Sequence, residues 1–188
     1  MEILKRRSDT RVRRVVIAAL LAATARLTAQ PASVMEDDVK AAFLYNFAKY
    51  VAWPEESFPS GAFHVCVFAD ESFVKSLDAI IAGETIDGRS VTRLVPISPE
   101  AARSCHILFV GGGEAGRIDR LLAAVKGAHV LTVGDTFDFL SRGGVVTFVR
   151  DGERVRFDVS VAQAQRAGLT ISSRLLRVAR RVSPGAGR

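Results

Sequence analysis

No apolar stretch in this chain approaches the about 20 residues that a membrane-spanning helix needs. The longest, Val15 to Ala25, has 11. Histidine is scarce, and none of His64, His106 and His129 has a cysteine or carboxylate at a metal-ligand spacing, so no metal centre is expected. There is no G-x-S-x-G elbow, and no nucleophile, base and orienting group stand in a recognisable order. Repeats and low-complexity tracts are missing. A charge excess is missing too, once the chain is divided. The whole sequence is formally +6, but residues 1–29 hold seven basic and two acidic side chains, leaving 19 basic against 18 acidic, or +1, in the rest. A nucleic-acid partner requires a basic face on the folded domain, so that class loses its main support.

What is present at the start is a basic head, Lys5, Arg6, Arg7, Arg11, Arg13 and Arg14, then the apolar run, then small residues up to Ala29. This is the three-part layout of a secretory signal peptide. Ala23-Thr24-Ala25 and Leu27-Thr28-Ala29 compete as cleavage sites. The cut after Ala29 is preferred, because the other would place Arg26 directly beyond the scissile bond. An uncut N-terminal anchor is the competing fate. Residues 1–29 are thus expected to be a cleaved signal peptide, residues 30–182 one α/β domain, and residues 183–188, with Pro184, Gly185 and Gly187, a disordered tail.

Cys66 and Cys105 are the only cysteines, 39 residues apart. An exported chain meets an oxidising compartment, where a bridge across that loop would contribute about 3.5 to 4 kcal/mol. The competing reading is two buried free thiols in apolar strands.

Along the domain, residues 36–50 read as a helix, with Val39, Phe43, Phe47 and Tyr50 forming its apolar stripe and Pro54 ending it. Strands are expected at Phe63–Ala69, Arg89–Val95, Cys105–Val110, Val130–Val133, Val145–Val149 and Arg154–Val159. Helices are expected at about Phe73–Ala82 and after Gly113. Alternation places His64 with Cys66 on one sheet face, and Cys105 with Ile107, leaving His106 opposite. Asp151-Gly152 joins the last two strands as an antiparallel hairpin. Ser160 caps a helix ending at Gly168, and Ser172 or Ser173 caps a last one reaching about Val182. The expected fold is α/β, a mostly parallel flavodoxin-like sheet with an antiparallel edge hairpin and helices on both faces. A 2-1-3-4-5 strand order would bring the two cysteines together.

Two candidate sites follow. Gly111, Gly112 and Gly113 lie between a strand and a helix, and Asp70 and Asp135 lie past strand ends, where an open α/β sheet forms a ligand crevice. The glycine spacing fits no nucleotide fingerprint, so a plain turn exploiting positive φ competes with a phosphate cradle. Phe137, Phe139, Leu140 and Phe148 crowd a short glycine-containing segment, and are either a partner surface or core folded under the sheet edge. The arginines Arg174, Arg177, Arg180 and Arg181 read as a solvated helix face, with an acidic partner or a membrane surface as the alternative.

One further feature gathers these pieces. VKAAFLYNFAKYVAWP (Val39 to Pro54), GETIDGRSV, SCHILFVGG, VLTVGDTFDF, GGVVTFV, VRFDV and AGLTISSRLLRVAR, in this order, resemble the YfiR family, the DUF4154 domain, over nearly the whole of the chain beyond residue 38. The resemblance implies a periplasmic, non-enzymatic α/β regulator with no cofactor. It further implies homodimers, and inhibition of an inner-membrane diguanylate cyclase through its periplasmic portion, so that less cyclic di-GMP is made. Redox-sensitive disulfides are one proposed input in that family. Cys66 and Cys105 match one such pair by position, whereas the second pair would fall near Gly143 to Arg150, where this sequence has no cysteine. A small-ligand binding module is the competing function.

Overall fold

The computed structural model describes residues 32–185, so the expected signal peptide at 1–29 lies outside the described residues. Helix α1 runs Ala32–Tyr50 and packs on helix α2, Glu71–Ile81. The buried positions of α1 are Ala41, Leu44, Phe47 and Ala48, with Val51 just beyond. Their spacing of three and four puts them on one face, and two alanines let the helix approach its neighbours closely. The expected stripe is therefore rotated: Phe47 is core, but Val39 is 43% and Tyr50 37% exposed. Ahead of Pro54 the chain leaves the helix as β1, Val51–Ala52, which pairs antiparallel with β9, Thr170–Ile171.

The main sheet consists of β2 (Phe63–Phe68), β3 (Thr85–Ile86), β4 (Arg89–Leu94), β5 (Ile107–Val110), β6 (Leu131–Gly134), β7 (Val146–Asp151), β8 (Arg154–Ser160) and β10 (Arg181–Ser183). Its order is β10-β8-β7-β6-β5-β2-β4-β3. The parallel block β4-β2-β5-β6-β7 has the expected 2-1-3-4-5 order. Strands β7 and β8 form the expected antiparallel hairpin, with Gly152 at φ +60° in its turn. That hairpin is not the edge. Strand β10 adds outside it, parallel to β8, and at the other end β3 pairs antiparallel with β4 through Asp87-Gly88, both at positive φ, the pairing that a tight hairpin turn favours.

The last helix is shorter than expected. Helix α5 spans Ser173–Val178 and not to Val182. Arg180 donates its backbone N–H to the Phe157 carbonyl at 2.8 Å and its guanidinium Nε to Asp158 Oδ1 at 2.9 Å, which draws the chain into the sheet as β10. Ser183, assigned to the disordered tail from sequence, pairs with Ser160 there. Helix α4, Val161–Arg166, is capped by the Ser160 hydroxyl accepting from the Gln163 N–H, as α5 is by Ser172 from Arg174.

Alternation divides the core. One face of the sheet carries Phe63, Val65, Phe109, Val133, Phe148 and Phe157 against α1 and α2. The opposite face carries Cys66, Leu108 and Val110 under helix α3, Ile118–Ala124, and the turn Glu100–Ser104. The connection from β6 to β7, residues 135–145, contains no helix.

Candidate functional site

The C-terminal ends of β2, β5 and β6 converge, and there the topology gathers every residue of the expected crevice. Gly111 donates its N–H to the Phe68 carbonyl at 2.8 Å, and a Cβ on it would stand 3.2 Å from Ala69 Cβ. Close approach of the two strand ends is what selects glycine here. Positive φ is not the reason, since Gly111 has φ −71° and neither Gly112 nor Gly113 is at positive φ. A Cβ on Gly112 would lie 3.3 Å from Asp135 Oδ1, and one on Gly113 would lie 3.6 Å from Asp70 Oδ1. Two carboxylate oxygens aimed at the turn make it a poor cradle for phosphate, which the same negative charges repel.

Asp135 is not free. Its Oδ2 accepts from Lys40 Nζ at 3.0 Å, and Lys40 also bridges Glu36 Oε1 at 2.9 Å, while Arg150 pairs with the other oxygen of Glu36. Burial alone would lower the Lys40 pKa, but the hydrogen bonds and charges of Glu36 and Asp135 outweigh it and raise it above its ordinary value. The hydrogen bond from Lys40 likewise holds the Glu36 carboxyl low, against partial burial, with Arg150 assisting. This clamp ties α1 to the ends of β6 and β7. Sequence reading does not find Lys40 as a site residue; the only hint is its Glu36, four residues earlier on the same helical face. Asp135 Oδ1 and Thr136 Oγ1 are buried without a hydrogen-bond partner.

The aromatic segment divides sharply. Phe137 is 97% exposed at the tip of the β6–β7 connection. Phe139, for which a partner surface and the core were both open, is fully buried: its ring lies between Gly134 and Gly144, in space that a Cβ on either would invade. Phe148 is also core, stacked on Phe47 at 5.8 Å between ring centroids, because it alternates inward from β7. Leu140 is half-buried. The connection is held by Thr147 Oγ1 donating to the Thr136 carbonyl at 2.9 Å and by the Val145 N–H donating to Thr132 Oγ1 at 3.0 Å.

At the opposite end of the sheet Cys66 and Cys105 are joined, their Cα atoms 5.8 Å apart. Cys105 precedes β5 and turns to the Cys66 face, not to the face of Ile107. His106 correspondingly packs on the Phe63 face, its ring 4.8 Å from that of Phe63 and 4.4 Å from that of Phe58. Its Nδ1 accepts from the His64 N–H at 2.8 Å, so its Nε2–H donates to the Ser57 carbonyl at 2.9 Å. Burial pushes its pKa below the ordinary imidazole value. His129 donates from Nδ1 to the Ala167 carbonyl at 3.0 Å. Among the described residues no group of three or more His, Cys, Asp or Glu side chains is placed to hold a metal ion.

The family model DUF4154, described as YfiR/HmsC-like, matches residues 37–180. A conserved domain protein from Vibrio cholerae O1 biovar El Tor superposes with a TM-score of 0.54 at 12% identity, over 78% of this chain and 60% of that one. This chain thus spans about 60% of the length of that protein, and at such identity the likeness concerns the α/β fold alone. The ABC domain from Streptococcus pneumonia, crystallised with L-Trp, aligns with a TM-score of 0.48 at 13% identity, over 66% of this chain and 56% of that one.

Proposed function

The chain belongs to the YfiR/HmsC-like family, and we propose that it is a periplasmic inhibitory regulator that binds the periplasmic part of an inner-membrane diguanylate cyclase and lowers cyclic di-GMP. Family membership supports the general part of this reading, a periplasmic, non-enzymatic regulator acting with a membrane partner. The observation that carries the binding step is Phe137, a large aromatic side chain left 97% exposed on a connection whose neighbours are pinned. Ordering such a connection in advance removes a conformational cost of association, and aromatic side chains, phenylalanine among them, are enriched at protein interfaces. The functional unit in this reading is a homodimer of the exported chain, its signal peptide cleaved on export.

Deleting the gene should raise cellular cyclic di-GMP and biofilm formation, and crosslinking through position 137 should recover a membrane protein with a cyclase domain. An unchanged nucleotide level with no such protein recovered would sink the proposal.

A second reading rests on the convergence of Asp70, Gly111, Gly112, Gly113 and Asp135, with a buried, unpartnered oxygen on Asp135. A small ligand there would have to offer hydrogen-bond donors or positive charge. Thermal-shift screening with such compounds tests it, since a ligand at 100 times its Kd adds about 2.7 kcal/mol; no shift across the set would remove it.

A further inference from the structure

The sheet face that carries Cys66 and Leu108 has an incomplete outer layer. Parallel strands are joined by crossovers that pass over a face, and on this side β4 to β5 supplies the turn Glu100–Ser104 while β5 to β6 supplies α3. The crossover from β6 to β7 has only residues 135–145, too few to form a helix and return. Phe139 fills the upper part of the vacant position. Below it a groove of about 690 Å³ remains, walled by Leu122 and Ala123 of α3 and by Arg166 and Ala167 at the end of α4, over Val130, Thr132 and Val145, which are themselves buried.

The rim of this groove is positive. Lys126 follows α3, Arg166 ends α4, and Arg142 stands above them. Arg142 is engaged by Asp119 at 2.7 Å, but Lys126 and Arg166 form no ion pair among the described residues. We propose that the groove receives an acidic amphipathic helix of the membrane partner, which takes the place of the absent crossover helix with its apolar stripe against Leu122, Ala123 and Ala167 and its carboxylates at Lys126 and Arg166. This rests on the reading of the protein as a regulator that binds a membrane protein, and it adds a second contact surface to that of Phe137. The position is that of a crossover helix in the layer, so a helix is the shape it fits. The charge left unpaired selects an acidic one.

The test uses the signal-free protein with two fluorescent amphipathic helical peptides, one of leucine and glutamate, the other with lysine in place of each glutamate. Anisotropy should show binding of the acidic peptide only, weakened by added salt. K126E/R166E should weaken it by about tenfold or more with the melting temperature kept. Ala123 lies on the exposed wall, so Ala123→Trp should obstruct the groove without disturbing the core and give the same loss. Equal binding of both peptides, binding of neither, or a dimer that K126E/R166E abolishes would overturn the inference. In cells K126E/R166E should raise cyclic di-GMP as gene deletion does. If deletion raises it and the variant still represses, the groove falls while the inhibitor reading stands; if deletion changes nothing, the inhibitor reading fails and the peptide measurement decides the groove by itself.

Discussion

The ring of Phe139 occupies the space that a side chain on Gly144 would need, and Gly134 opens the slot from the other side. This replaces the missing crossover helix by one aromatic ring, and it predicts opposite outcomes for two neighbouring phenylalanines. Phe139→Ser should lower stability by about 3 kcal/mol or more in urea denaturation, with partner binding intact at temperatures where it stays folded. Gly144→Ala, an overpacking change, should cost about 1 to 3 kcal/mol for the same reason. If Phe139→Ser melts like the parent, the slot is not core.

Phe137→Ser should behave in the reverse way. Its side chain touches little of its own chain, so the unfolding free energy should change by no more than an ordinary surface substitution, about 0.5 kcal/mol. Inhibition of the partner should be lost, read as cyclic di-GMP in cells complemented with the variant. A variant that represses normally removes Phe137 from the interface.

The contrast between these two residues shows how far the sequence could be read. Apolar runs and turn dipeptides located the strands of the parallel block, because these are local signals, whereas their order came from the flavodoxin-like pattern and the pairing of Cys66 with Cys105 that it allows. Ser160 and Ser172 were legible as caps for the same reason. Depth was not legible in the Phe137 to Phe148 segment: whether an aromatic is core depends on two glycines, Gly134 and Gly144, that approach it only after folding. Strand β10 was hidden because Arg180 is recruited by Asp158 across the sheet, a long-range ion pair that no window of sequence displays. Lys40 was missed likewise, since its partner Asp135 lies 95 residues away.

Removing the bridge tests the cysteines. Cys66 and Cys105 are both buried and close a loop of sequence separation 39, so C66A/C105A should lose about 3.5 to 4 kcal/mol, chiefly through the freer unfolded chain. Thiol labelling of the unfolded, unreduced protein should find no free thiol. Two free thiols per chain, or a disulfide-linked dimer, would refute the intramolecular pairing.

The Lys40 clamp should show strong coupling. Lys40→Met leaves the Asp135 carboxylate, 16% exposed, without its cation and leaves Glu36 with Arg150 alone. The loss expected is on the order of 3 kcal/mol, whereas K40M/D135L should recover part of it because the stranded charge at Asp135 is gone. A double-mutant cycle reads the coupling. Additive losses would mean that Lys40 and Asp135 do not act together.

His106 sets the response to acid. Its ring is neutral in the fold, accepting at Nδ1 and donating from Nε2 among Phe58, Phe63 and Trp53. Burial holds its pKa below the ordinary value of 6.5, partly offset by the hydrogen bond to Ser57. The unfolded chain therefore takes up a proton at a higher pH than the native one does. With the folded pKa depressed, the contribution is fully present above the unfolded value of 6.5 and is lost as pH falls from there toward the folded pKa. His106→Gln keeps one acceptor and one donor at this position without an ionisable ring. It should be less stable than the parent at pH 8 through lost stacking, yet show a flatter decline on acidification below about 6.5. Parallel curves for parent and variant, followed by urea denaturation at each pH, would mean that the proton responsible goes elsewhere.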